Sequence, residues 1–175
     1  PTQVDLNFKT GYTKGAQYIN PDVVVWSRPS TPEDKLQYVK DEVKKHFDMG
    51  FDVVFVTSIA WTEGLIELAE KQNKYIILTR GDYYNKAPDN VIACLQRGYE
   101  AAIIKIMQFK ALDTLDDVKQ IRVSMTDDTE YIIESDIYDK HSTEELNKKL
   151  NDIKEKIRKD IYIVPQANPD KFEDY

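Results

Sequence analysis

Two arginines directly follow apolar, strand-like runs: Arg28 comes after Val23 to Trp26, and Arg80 after Tyr75 to Leu78, with Asp82 two residues further on. A guanidinium presents a planar fork of donors that matches a carboxylate or phosphate, whereas a carboxylate such as Asp82 accepts from hydroxyl groups. A third run, Asp52 to Val56, is followed by Ser58 and Trp61, a hydroxyl and a large ring face. In an open α/β sheet, ligands lie beyond the carboxyl ends of the strands, so residues 27–31, 57–62 and 79–82 are expected to face one. These residue types suit holding a small molecule.

Nothing comparable suggests catalysis. The chain has no G-x-S-x-G elbow, no phosphate loop and no H-E-x-x-H helix, and its single cysteine, Cys94, lies in an apolar stretch read as helical, without a histidine partner nearby. His46 sits near a helix end, where the dipole suits it, and His141 precedes a helix cap; neither is accompanied by further metal ligands. Asp113, the Asp116-Asp117 pair and the Asp127-Asp128 pair lack the full oxygen spacing of a calcium loop and read as turn and cap residues. No metal, no cofactor and no enzymatic activity are expected.

A chain of 175 residues can bury one core. Its 24 basic against 31 acidic side chains give a net charge of −7, which argues against a nucleic-acid partner. No run approaches the roughly 18 apolar residues that a membrane span needs.

The elements that must position these residues alternate. The three apolar runs lack polar alternation, as buried parallel strands do. Between them Leu36, Val39, Val43 and Phe47 form one helical stripe, and Leu65, Ile66 and Ala69 another. Thr31 with Pro32 marks the start of the first of these helices and Gly50 its end. Asp89 is read as the cap of a further helix carrying Ile92, Leu95, Tyr99, Ile103 and Ile106. An opening helix carries Phe8, Tyr12, Ala16 and Ile19 and closes at Asn20-Pro21, with no strand before it. Past about residue 112, strands are expected at Gln120 to Met125 and Tyr131 to Tyr138, around a turn at residues 126–129. Ser142 with Glu145 reads as a capping box for a charged helix bearing Leu146, Leu150, Ile153 and Ile157, followed by a short strand at Ile161 to Val164. The expected architecture is a three-layer, Rossmann-like α/β lobe with a mostly parallel sheet, then a small β-hairpin and a carboxyl-terminal helix. Residues 1–165 form one lobe, with its extension over about 113–165, and residues 166–175 a disordered tail.

Several of these segments carry a resemblance. Phe8, Gly11, Tyr12, Gly15 and Ala16, ending at Asn20-Pro21, resemble the F-x-x-G-(F/Y)-x-x-G-(A/V) helix and N-P ending of the BMP (basic membrane lipoprotein) type of solute-binding protein. In order after it, residues 52–56 are similar to that family's next strand, residues 64–69 to its G-V-I-E-A-A helix, residues 87–91 to its A-P-D-x-V signature and residues 161–165 to its I-x-V-P ending. The resemblance covers about residues 4–165.

The resemblance implies two α/β lobes around a cleft, of which this chain is similar to the carboxyl-terminal one. It also implies an extracytoplasmic, lipid-anchored receptor that delivers purine nucleosides to the permease of an ABC transporter. A missing amino-terminal lobe or a second chain would complete the cleft, and the sheet edge left open predicts association, including a homodimer.

At the cleft the chain departs from the family. Where relatives carry A-G-G-x-G-x-G, residues 58–64 keep only Gly64, which reduces close backbone approach to a ligand. Where relatives carry G-V-D-x-D, Arg80 replaces the first acid and Asp82 keeps the second. The family's lysine after A-P-D-x-V aligns with Arg97, and its stacking phenylalanine has no aligned counterpart, leaving Trp61 or Trp26 to supply the ring. Three of the five arginines, Arg28, Arg80 and Arg97, thus fall near the cleft edge, and an anionic metabolite is expected in preference to a neutral nucleoside. The alternative is a ligand-free regulatory or protein-interaction module on the same lobe. A receiver-like or flavodoxin-like domain is disfavoured, because a receiver's acidic cluster and lysine are not at the strand ends.

Overall fold

The computed structural model describes residues 3–28, 34–79, 81, 83–114, 129–165 and 167. Thr31 and Pro32, the Asp116-Asp117 and Asp127-Asp128 pairs, the strand expected at residues 120–125, most of its turn, and all of the tail but Ala167 lie outside the described residues.

Among the described residues four strands form one sheet in the order β1 (Val53–Val56), β2 (Tyr75–Thr79), β3 (Val91–Arg97) and β4 (Glu130–Glu134). The first three are parallel, with Val54 opposite Ile76 and Leu78 opposite Cys94, and β4 joins antiparallel, with Leu95 opposite Ile132. The expected mostly parallel α/β architecture is therefore observed. Continuous apolar runs suit β1 and β2 because helices cover them: Ile76, Leu78, Val91 and Cys94 have no solvent-exposed surface.

Helix α1 (Gln3–Ile19) precedes the sheet, α2 (Leu36–Asp48) leads into β1, and α3 (Thr62–Gln72) connects β1 to β2. Val39 and Phe47 of α2 and Leu65, Ile66 and Ala69 of α3 meet the sheet as one cluster, as their stripes predict. Along β1, Val54 and Val56 turn into that cluster, while Phe55 turns the other way. There Tyr12 stacks on Phe55 at 5.1 Å with ring planes 13° apart, and Phe8 approaches at 6.0 Å. Helix α1 thus covers one face of β1 and α2 with α3 the other.

The helix ends follow local chemistry. Gly50, at φ +100°, stops α2, and the Phe51 N–H reaches back to the His46 carbonyl at 3.1 Å. Asn73 takes the left-handed conformation after α3, at φ 50°. Gly64, the one glycine kept from the family's loop, lies inside α3, where a Cβ would stand 2.7 Å from Leu36 Cδ1. Its role in this structure is close approach of α3 to α2.

Five sequence expectations are corrected. Val23 to Trp26 belongs to no ladder among the described residues, and Trp26 lies on α2, stacking on His46 at 3.7 Å. The helix expected from Asp89 onward is strand β3 as far as Arg97, and Cys94 is a strand residue. Helix α4 (Tyr99–Ala111) starts only after Gly98. Pairing on both sides overrides the three-and-four spacing there, and Asn90 prepares it by donating to the Lys74 carbonyl at 2.9 Å. Strand β4 ends at Glu134, where Ser135 caps α5 (Asp136–His141) through the Tyr138 N–H. Thr143, one residue later than expected, caps α6 (Glu144–Arg158) by accepting from the Leu146 N–H at 3.1 Å, while Ser142 ends α5. Ile161 to Val164 forms no strand, since it has no neighbouring chain to pair with among the described residues.

One side chain stitches β3 to β4: the Tyr84 hydroxyl accepts from the Cys94 N–H at 2.8 Å and donates to the Ile133 carbonyl. Because Leu78 is fully buried in the central strand, Leu78→Ala is expected to cost about 2–5 kcal/mol in urea unfolding through lost burial and a residual cavity. In the same measurement Tyr84→Phe should cost about 1–3 kcal/mol, the worth of two ordinary hydrogen bonds.

Candidate functional site

Strands β1, β2 and β3 run parallel, so Ser58 and Arg97 are carried to the same edge of the sheet. The exit of β1 is pinned there. The buried Thr79 hydroxyl lies 3.3 Å from the Val56 carbonyl and 3.1 Å from that of Thr57, to which it donates, and the Thr62 hydroxyl donates to the Ser58 carbonyl at 3.0 Å. Ser58 then leads into a short 3-10 turn, Ile59–Trp61, that delivers Trp61 at the head of α3.

A cavity of about 690 Å³ lies beside this exit. It is lined by residues 23–28, by β1 with its exit, and by residues of α1 and α2. Aromatic rings dominate it: Tyr12, Trp26, His46, Phe55 and Trp61 all contribute. Trp61 belongs to the core, with 8% of its surface exposed, whereas Trp26 is 50% exposed and lies against His46 with ring planes 27° apart. His46 is oriented by its Nδ1–H, which donates to the Glu42 carbonyl at 2.7 Å, and by the edge of Phe51 at 5.5 Å.

Three of the residues singled out in the sequence, Arg28, Ser58 and Trp61, line this one cavity. Arg28 is partly engaged: its guanidinium is 3.8 Å from Asp34 and sits over the Tyr38 ring at 4.4 Å. Glu63, another acid that could take an arginine, is paired with Lys86. Arg97 stands exposed at the end of β3, in register with Glu130 of β4, and is not among the cavity residues. Arg80 and Asp82 lie outside the described residues.

Sequence reasoning missed Phe8, Tyr12, His46 and Phe55 as wall residues. The spacing of Phe8, Tyr12 and Phe55 reads as core packing, which is half right for Tyr12 and Phe55, and His46 reads as a helix-end residue suited to the dipole. What the spacing lacks is any sign that residues 23–28, α1, α2 and β1 line one cavity.

The electrostatics of the walls are modest. A hydrogen bond from Lys45 holds the Glu42 carboxyl below its ordinary range, with the nearby Arg28 and His46 charges adding to the effect. Burial against Phe55 pushes the Tyr12 phenol above its ordinary range. A raised folded value for an acid means that its contribution is fully present below the unfolded value and is lost as pH rises through the folded one. Alkaline unfolding should therefore begin at higher pH in Tyr12→Phe than in the parent chain, as followed by circular dichroism. Thr79→Val, which removes the hydroxyl donor to the Thr57 carbonyl at the β1 exit, should cost about 1 kcal/mol in urea unfolding.

The family model Bmp, described as ABC transporter substrate-binding protein PnrA-like, matches residues 1–167. No curated protein matches the chain. Among the described residues no helix is long and apolar enough to cross a membrane. The match takes in α1, the cavity walls and the strand exits together, and on that coverage the chain belongs to the Bmp family of ABC transporter substrate-binding proteins.

Proposed function

We propose that this chain binds a small solute in the cavity between residues 23–28 and β1, for delivery to the permease of an ABC transporter on the extracytoplasmic side of a membrane. The observation that carries the reading is the cavity itself. Its volume of about 690 Å³ suits a small-molecule site, and its ring-rich walls meet Arg28 and, at the β1 exit, Ser58. Rings on several sides favour a planar heterocycle of nucleoside size. A second lobe or a second chain would supply the facing wall of the cleft, and lipid anchoring of the whole receptor fits the family.

Arg28 directs the preference within that class. At 3.8 Å its contact with Asp34 is longer than a good charge-assisted hydrogen bond, so an incoming phosphate or carboxylate can form shorter, forked bonds. Arg80, in the loop after β2, and Arg97, at the end of β3, are the further contacts we assign to an anionic group, and Asp82 the acceptor we assign to a ligand hydroxyl.

Titration calorimetry with a neutral purine nucleoside, its monophosphate and a heteroaromatic carboxylate tests both levels. The anionic compounds are expected to bind about tenfold or more tighter than the nucleoside, the worth of one charge-assisted hydrogen bond, and Arg28→Ala or Arg80→Ala should remove that margin. Tight binding of the neutral nucleoside, indifferent to both substitutions, would overturn the anion preference. Absence of binding by all three would favour a ligand-free interaction module.

A further inference from the structure

The exits of neighbouring parallel strands are tied together, each by a side chain of the strand next in line. At the end of β2 the Thr79 hydroxyl donates to the Thr57 carbonyl, in the loop after β1, at 3.1 Å. One strand further on, Gln96 of β3 repeats the arrangement. Its Nε2 donates to the Gly81 carbonyl, in the loop after β2, at 2.5 Å. Thr79 is buried and its bond belongs to the scaffold, whereas Gln96 and Gly81 meet at the surface, where a bond adds little to the stability of the core.

The backbone is specialised at that point. Gly81 takes φ +85°, a conformation that side chains rarely adopt, and the Tyr83 ring lies so close that a Cβ on Gly81 would stand 2.5 Å from Tyr83 Cε2. The later part of the loop is held by other means. The Tyr84 hydroxyl bridges Cys94 and Ile133, Lys86 pairs with Glu63 of α3, and the Lys86 N–H closes a turn on the Tyr83 carbonyl at 3.0 Å. The start of the loop is reached by Gln96, and Gly81 is the residue between Arg80 and Asp82, both assigned above to the solute. The peptide joining Gly81 to Asp82 is one planar unit, so a bond to the Gly81 carbonyl restrains the direction in which the chain continues.

We propose that Gln96 is a positioning residue for the loop after β2. Its bond to the Gly81 carbonyl holds the left-handed turn at Gly81, so that Arg80 and Asp82 are set for a solute before one arrives. Ordering them in advance removes part of the entropy loss that binding otherwise has to overcome. The benefit to binding rests on the solute-binding reading above, whereas the hold on the turn does not.

Nitrogen-15 relaxation of the Gly81 amide in the whole chain, without added solute, reads the turn, and the Ile77 amide in the central strand reads the fold. The parent chain is expected to give an order parameter of about 0.85 at Gly81. Gln96→Met, which keeps the length of the side chain and loses the donor, should give about 0.6 or less, with Ile77 unchanged. Gln96→Glu, whose carboxylate has the same shape and no donor at neutral pH, should do the same, and supplies the reading if Gln96→Met disturbs Ile77. In calorimetry with a purine nucleoside monophosphate, Gln96→Met is expected to weaken binding about threefold to tenfold, the worth of one hydrogen bond. Order at Gly81 that survives both substitutions overturns the proposal, as does order lost in Gln96→Met with monophosphate affinity at the parent value. Should the parent chain bind no solute while order at Gly81 still falls in the variants, the solute-binding reading fails and the hold on the turn stands.

Discussion

Strand β2 is paired on both sides, to β1 and to β3, and the rest of the molecule depends on that double parallel ladder. A parallel strand cannot be reached by a tight turn, so each pairing demands a crossover, and the crossover between β1 and β2 is α3. The crossover in turn buries the sheet. Ile76 and Leu78 lose all contact with solvent, and Leu65, Ile66 and Ala69 of α3 complete their surroundings. Because the strands are parallel, their carboxyl ends collect at one edge, which carries Ser58 and Arg97 there.

The same ladder stops at β1, and the site follows from where it stops. Phe55 is covered by α1 on one face, β1 pairs only with β2 among the described residues, and a ring-lined cavity lies beside it. An open edge is ordinarily a liability in a sheet. Here residues 23–28 line the same cavity, joined to α2 by a ring stack and an arginine. The polar groups at the mouth are anchored from the buried side: Thr79 holds the β1 exit from within the core, so the loop bearing Ser58 and Trp61 is built on a rigid support.

Much of the fold was legible in the residues. The stripe Leu36, Val39, Val43 and Phe47 became α2, Gly50 ended it, and the runs at 53–56 and 75–79 became adjacent buried strands, because burial on one stripe or on two faces leaves a direct imprint on composition. The errors share one cause. Ile92, Leu95 and Tyr99 satisfy helical spacing, yet Val91–Arg97 pairs with β2 on one side and β4 on the other, and that pairing partner is far away in sequence. The cap of α6 was misplaced by one residue, from Ser142 to Thr143, since two adjacent hydroxyls compete and the end of α5 takes the first. Around the cavity, the rule for strand ends points to Arg28, Ser58 and Trp61, while Tyr12 and Phe55 double as packing residues and His46 reads as a helix-end residue.

By itself the sequence determined the class of the molecule: an acidic α/β chain without a catalytic constellation, carrying ordered motifs that place it in a solute-binding family. Those properties are local, set by side-chain chemistry and by periodicities of two or three to four residues. Only the tertiary structure decided that Val23 to Trp26 stays out of the sheet, that Cys94 lies in a strand, and that rings from α1, α2 and β1 converge on one cavity. Each depends on which distant segment supplies a hydrogen-bonding or stacking partner, and a short apolar run fits a ladder and a ring stack equally well until that partner is in place.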